Sequence, residues 1–389
     1  MVKVYLRKTR DSRVRSGHPW VFQSDIERTE GAFEPGDVAE VRSAAGTFLG
    51  RAFYNPLSQI SLRMLSQQDE PIDADFFKRR VEAAWNYRKL LCDVGSCRAI
   101  YAESDFIPAL IVDKFSDVCV MQSLSLGLEK WKHTLTDILV QVIGPRGIYE
   151  RNDVPVRRLE GMELKTGLLY GEVPDQVEMI ENGIRFMVDV KQGQKTGFFL
   201  DQKENRAALK PFCPGAKVLD CFCHNGSFAL NAARYGAGSV LGVDISEEAL
   251  EVARANARLN GLDAQFEAHN CFDHLRALTE AKEQFDLVIL DPPAFTKTRG
   301  AVEGALRGYK EINLRALKLV RPGGYLVSCS CSQHVGVEQF VQMINQAARD
   351  SRRKVRLVEL RTQAHDHPVL LASPETQYLK CAILKVFPV

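Results

Sequence analysis

Three apolar runs in the second half of the chain each stop on an aspartate, and a fourth stops on paired cysteines. Val218-Leu219 ends on Asp220, Ser239 to Val243 on Asp244, and Phe285 to Leu290 on Asp291, while Gly324 to Ser328 runs into Cys329-Ser330-Cys331. A carboxylate at a strand end can accept hydrogen bonds from an amino group. The acid after a second strand can take two ribose hydroxyls. A thiol at such a position can act as a nucleophile if a neighbouring field lowers its pKa.

The elements that must position these groups begin with Lys217 to Asp244, read as strand, tight loop Cys221 to Gly226, helix-like Ser227 to Tyr235, strand and acid. That is the first unit of a doubly wound α/β sheet, with a ligand expected at the strand ends. A dinucleotide fingerprint needs three glycines, so that a pyrophosphate can lie against bare backbone. Here only Gly226 is present, and Asp220 would repel a pyrophosphate but could accept from a methionyl ammonium. The expected cofactor is therefore S-adenosylmethionine rather than NAD. An ordinary α/β crossover with solvated acids is the bland alternative.

The run Asp291-Pro-Pro-Ala-Phe295 removes two backbone donors and holds an extended turn, presenting carbonyls and the Asp291 carboxylate at the mouth of the sheet. A planar base with an amino group could be held there, stacked on Phe295. Cytosine C5 is a poor nucleophile, and addition of a thiolate to C6 makes C5 enamine-like; cysteine is the residue type that route requires. Two other readings stand beside this one. Cys221, Cys223, Cys329 and Cys331 could hold a metal, although C-x-C lacks the usual zinc spacing. Either thiol of the second pair could also be an inert core residue.

The whole chain has 389 residues, 45% hydrophobic and 26% charged, which predicts two or three globular domains. Ten cysteines spread over that length suit a reducing compartment, and the absence of a signal-like or membrane-spanning apolar run predicts a cytoplasmic protein with no membrane partner. Residues 1–70 read as a β-rich domain, with short runs between Gly36, Gly46 and Asn55-Pro56. Their basic start, Lys3, Arg7, Lys8, Arg10, Arg13 and Arg15, suits a phosphate backbone or a blunted sheet edge. Trp20 and Phe22 are core residues or base-stacking aromatics. Residues 71–190 form an α+β segment, with helices over Ile72 to Leu91 and Glu129 to Val142. Residues 191–389 carry the cofactor unit, a third strand at Ala264 to Glu267, helices at Glu247 to Asn260, Glu303 to Val320 and Val335 to Arg349, and a closing hairpin of Val355 to Leu360 with Tyr378 to Val386. The polar run Lys191 to Gln202 is a lid or a connecting loop.

The combination and order of HPWVF, ESDFIPALIVD, QGQKTGFFLDQ, VLDCFCHNGSFAL, DPPAF, GYKEIN, SCSCS and DHPVLLASPETQYLK resembles the bacterial 23S ribosomal RNA cytosine-C5 methyltransferases of the large subunit. The resemblance covers essentially the whole chain. It implies an α/β class I methyltransferase domain with a Rossmann-like sheet, a central α+β domain and an N-terminal PUA-like RNA-binding domain. It implies S-adenosyl-L-methionine as cofactor and 23S ribosomal RNA, naked or in a large-subunit particle, as partner; a homodimer is compatible with it. Cofactor contacts are expected from Gln202, Asp220, Phe222, Asn225, Gly226, Phe228, Asp244, Ile245, Asn270, Asp291 and Pro292. Alignment on Gly323-Gly324 puts Cys331, not Cys329, on the nucleophile position, with Asp291 and Pro292 placing the base. The chain departs from the family pattern at Ser227, where a second glycine is common, at Asn270, where an acid is common, and in carrying Cys329. Nitrogen methylation of a guanine or exocyclic amine, and a non-catalytic RNA-binding platform, are the alternative functions.

Overall fold

The residues from Phe285 to Leu290, apolar except for Asp286, make a strand covered on both faces, and the sheet of one half of the molecule is built around it. This computed structural model describes residues 1–388. The chain divides into two compact units: Met1–Met179 with Val188–Leu200 and His365–Thr376, and Ile180–Met187 with Asp201–Ala364 and the stretch from Gln377 onward.

The first unit contains two sheets. Six strands run in the order Trp20–Val21, Leu62–Ser66, Phe48–Tyr54, Val38–Arg42, Val2–Leu6, Ile26–Glu30. Gly50 lies where two of them cross closely, at φ +146°, and a Cβ there would stand 2.3 Å from the Ser66 carbonyl oxygen. Only glycine fits. Five more strands run Lys165–Gly171, Gly147–Asn152, Val118–Ser123, Leu110–Phe115, Ser96–Tyr101, against helices Ala74–Leu91 and Leu126–Ile143. Those helices start on Asp73 and Ser125, whose side chains accept from the Phe76 and Leu128 N–H groups.

The two sheets belong to one unit because Phe53 and Leu65 of the first pack in the same apolar cluster as Phe76, Phe77 and Leu128. Buried polar bonds add to this: Glu160 accepts from Arg63, Ser58 and Asn55. Trp20 is half-buried, and its indole N–H donates to Glu103 at 2.8 Å. Much of the basic edge is partnered, Arg10 with Asp25, Arg13 with Glu375 and Arg15 with Asp11.

The second unit holds a seven-stranded sheet whose strands are numbered here in chain order: β1 Lys217–Cys221, β2 Ser239–Asp244, β3 Gln265–Ala268, β4 Phe285–Leu290, β5 Val320–Ser330, β6 Arg353–Arg361 and β7 Lys380–Pro388. Its spatial order is β3-β2-β1-β4-β5-β7-β6. β1 to β5 are parallel, and β7 is antiparallel to both β5 and β6. The order reverses at β1, so the crevice between the ends of β1 and β4 is the expected ligand position of such a sheet. Five helices flank it: α1 Ser227–Arg234, α2 Glu247–Asn260, α3 Cys271–Glu280, α4 Val302–Leu319 and α5 Val337–Asp350. Leu219, Val243, Leu290, Ile312 and Phe340 lie in its core.

Two features differ from the sequence expectation. α3 occupies a stretch to which the sequence reading assigned no element, although Cys271, Phe272, Leu275 and Leu278 recur at helical spacing after the Asn270 cap. β5 begins at Val320, earlier than Gly324, since the Arg321-Pro-Gly-Gly turn is drawn into it. The closing hairpin is present as expected, β6 pairing antiparallel with β7, which lies between β5 and β6. Among the described residues no helix is long and apolar enough to cross a membrane.

Candidate active site

Asp220 is fully buried at the end of β1. Its Oδ2 accepts from the Ala229 N–H at 2.9 Å, whereas Oδ1 is buried with no hydrogen-bond partner. Burial and the neighbouring charges of Asp291 and Asp244 push its pKa well above the usual carboxylate range. The loop that follows is sharply folded, with Phe222 and His224 at φ +64° and +49° and Gly226 at +77°. A Cβ on Gly226 would meet Phe266 and Ala253 at 2.9–3.0 Å, so the loop passes them as bare backbone. α1 begins directly after it with no side-chain cap.

Asp244 accepts from the N–H groups of His224 at 2.9 Å and Ser246 at 3.0 Å, which ties the β2 end to that loop and leaves lone pairs for further donors. Ile245 beside it is 72% exposed, and Asn225 is buried within the loop. The Phe228 ring lies in the core, with the Arg206 guanidinium 5.8 Å from its centroid. Phe222 is half-buried and its N–H donates to the Cys271 sulfur at 3.2 Å. Asn270 is exposed, and its side-chain oxygen caps α3 through the Phe272 N–H at 2.9 Å.

At the β4 end, the Asp291 N–H reaches the Cys221 carbonyl at 3.4 Å, fixing it beside β1. Gln202 donates to Asp291 Oδ1 at 2.9 Å and is itself oriented by Asn205, which donates to its Oε1 at 2.7 Å. Arg206 forms a two-pronged buried pair with Glu181, at 2.6 and 2.8 Å, and donates to Ser227 at 3.3 Å. Composition gave no sign of Asn205, Arg206 or Glu181; their polar side chains became informative only once burial was known. The Phe295 ring packs on Phe272 and Tyr309, with centroids at 5.8 and 4.5 Å. It therefore anchors the turn after β4 as part of an aromatic file, in place of the free stacking platform expected from sequence.

The two thiols after β5 differ. Cys329 is fully buried opposite Cys381 of β7, and the bond to that thiol together with burial raises its pKa well above the ordinary value. Cys331 is half-buried, and its Sγ lies 3.8 Å from the Pro292 carbonyl oxygen, to which the thiol can donate. The structure thus brings Cys331 to the turn that carries Asp291. Lys380, the buried first residue of β7, donates from Nζ to the carbonyls of Ser332 and Tyr378 at 2.7 and 2.8 Å. Sequence reading passed over it. Cys221 pairs with Cys271 and Cys329 with Cys381, so the two C-x-C pairs are turned to other partners. Among the described residues no group of three or more metal-ligating side chains is assembled.

These residues fit a cationic adenosine cofactor. The unpartnered Asp220 oxygen, the two neighbouring carboxylates of Asp244 and Asp291 and the bare Gly226 backbone would receive an ammonium and a sulfonium where a pyrophosphate would be repelled.

Comparison with known proteins agrees. The family described as S-adenosylmethionine-dependent methyltransferase matches residues 161–372, and the PUA-like domain matches residues 4–67. The Ribosomal RNA large subunit methyltransferase I of Tolumonas auensis is 42% identical, over 98% of both chains. That of Erwinia tasmaniensis is 41% identical, over 97% of this chain and 98% of its own. In fold, a Streptococcus mutans protein described as a SAM-dependent methyltransferase superposes with a TM-score of 0.84 at 21% identity, covering 99% of this chain and 100% of that one. A second structure, of a methyltransferase complexed with SAH, gives 0.85 at the same identity and coverage. The chain belongs to the ribosomal RNA large subunit methyltransferase I family of S-adenosylmethionine-dependent methyltransferases.

Proposed function

We propose that this protein methylates C5 of a cytosine in 23S ribosomal RNA through a covalent adduct between Cys331 and C6 of the base. The observation that supports this reading is the approach of Cys331 Sγ to the Pro292 carbonyl, which brings a half-buried thiol to the turn that carries Asp291. The relatives' names support ribosomal RNA as substrate, and the PUA-like match over residues 4–67 supports RNA contact by the six-stranded sheet.

Bound S-adenosylmethionine supplies an electrophilic methyl group. Asp220 would accept from its ammonium, Asp244 from its ribose hydroxyls, and Gly226, Asn225, Phe222 and Ile245 would line it. Gln202 holds Asp291 in place to accept from the cytosine amino group, and the Pro292 carbonyl borders the same pocket. The Cys331 thiolate adds to C6 and pushes electron density onto C5. After C5 has gained its methyl group, a base takes the C5 proton, and the C5–H electron pair restores the double bond as the S–C6 bond breaks and the thiolate returns. Nitrogen methylation needs no thiol.

The direct test is to incubate the protein and S-adenosylmethionine with ribosomal RNA and with large-subunit particles, digest to nucleosides and identify the product by mass spectrometry. The expected product is 5-methylcytidine. A methylated guanine or a methylated exocyclic amine would replace this reading with nitrogen methylation.

A further inference from the structure

A nucleophilic thiol needs a neighbouring positive field or base, and among the described residues Lys380 is a candidate for it. The described groups near the thiol include the Pro292 carbonyl at the β4 end, the Tyr309 hydroxyl of α4 and Lys380 of β7. Of these, the Pro292 carbonyl and a tyrosinate would disfavour a thiolate. Tyr309 is buried, its hydroxyl shares a hydrogen bond of 2.9 Å with Ser332 Oγ, and its pKa is raised by burial, so it stays neutral. Lys380 is the cation among these described groups.

Its placement is fixed. Lys380 lies opposite Ser330 in the β5–β7 register, one residue before Cys331. Nζ reaches past the strand end to the carbonyl of Ser332, one residue after Cys331, and to the carbonyl of Tyr378. The ammonium is therefore held by one bond to the backbone that flanks the thiol and one to the segment that leads into β7. The side chain is only 3% exposed, which is costly for a lysine unless its charge is used or paired. Burial lowers its pKa to about 8, and the opposing influence is the charge of a Cys331 thiolate, with no carboxylate contributing.

We propose that Lys380 is the positioning residue that activates Cys331, its ammonium holding the side chain as a thiolate ready to add to the base. In the step concerned the Sγ–H bond breaks, its electron pair stays on sulfur and the proton passes to solvent. Lys380 keeps its proton and its two carbonyl bonds throughout. The inference rests on Cys331 as nucleophile, and it adds the origin of its reactivity.

The test reads the thiol itself. The full-length protein and its Lys380→Met and Lys380→Arg variants are alkylated with iodoacetamide from pH 5.5 to 10, and the modified Cys331 peptide is followed by mass spectrometry. In the unmodified protein the midpoint is expected below the ordinary cysteine value of about 8.5. Lys380→Met should raise it by at least about one pH unit, slowing alkylation at pH 7 by about tenfold, while Lys380→Arg should keep it low. An unchanged midpoint in Lys380→Met, in a protein whose thermal melt is near that of the parent, overturns the proposal. If Lys380→Met does not fold, a midpoint at or above 8.5 in the parent protein overturns it instead. Full activity in Cys331→Ala would remove the nucleophile reading; loss of activity there with an unmoved midpoint in Lys380→Met would remove the role of Lys380 alone.

Discussion

The Asp220 carboxylate accepts a hydrogen bond from the Ala229 N–H at 2.9 Å and leaves its second oxygen buried and unpartnered. Its raised pKa means that, with no cation against it, the carboxyl is biased towards the protonated form. A cation bound against the free oxygen favours the ionised form, so binding must expel a proton. S-adenosylhomocysteine, which carries the ammonium, should bind with net proton release at pH values below the raised pKa, and more tightly as pH rises. Calorimetry in buffers of different ionisation enthalpy measures this; binding without proton release contradicts it. Asp220→Asn should lose about 10- to 100-fold in affinity, the worth of one charge-assisted hydrogen bond.

The same shift has a stability consequence. Between the ordinary carboxylate value and the raised one, the folded protein binds the Asp220 proton more tightly than the unfolded chain. The stability contributed by this group therefore falls as pH rises through that interval. Asp220→Asn removes the decline, so the cofactor-free variant should melt at the same temperature as the parent or higher at neutral pH, as scanning calorimetry would register.

Gly226 should not tolerate a side chain. Alanine there would adopt φ near +77° and set its Cβ 2.9–3.0 Å from Phe266 and Ala253. The combined strain and overpacking should cost roughly 2–5 kcal/mol in urea unfolding, and cofactor-induced stabilisation should vanish. A fully stable, cofactor-responsive Gly226→Ala would show that the loop is not held as described.

Glu181 and Arg206 are both buried and doubly hydrogen-bonded. Glu181→Ala leaves the guanidinium buried without its carboxylate and should cost about 3–5 kcal/mol. Urea denaturation at neutral pH gives the value; a loss under 1 kcal/mol would mean that Arg206 finds solvent or another anion.

The two thiols after β5 should separate in function. Cys329 is buried against Cys381, whereas Cys331 is half-buried beside Pro292. Cys329→Ala should retain methyl transfer within about threefold, while Cys331→Ala should lose on the order of 10³-fold or more. Equal losses would make the pair act together.

The strand ends were legible because apolar runs stopping on Asp220, Asp244 and Asp291 carry both the sheet and its chemistry in one pattern. The bounds of α2 and β4 follow directly from their periodicity and apolar continuity. A two-stranded ribbon, Val177–Glu181 with Ile184–Val188, turns at Asn182-Gly183 with both residues at positive φ. That dipeptide between alternating runs is a strong hairpin signal, and it was legible but unread. α3 was legible but unread, since Cys271, Phe272, Leu275 and Leu278 fall at helical spacing, whereas the position of β7 between β5 and β6 leaves no mark in the sequence. Lys380 was hidden for a different reason: a lysine in a strand reads as a solvated edge, and only burial beside Cys331 gives it another meaning.

Release of tritium from ribosomal RNA labelled at cytidine C5, incubated with the protein and S-adenosylmethionine, tests the central claim most directly. The expected result is release that requires the cofactor and is lost in Cys331→Ala. Methyl incorporation with no release of tritium would contradict it.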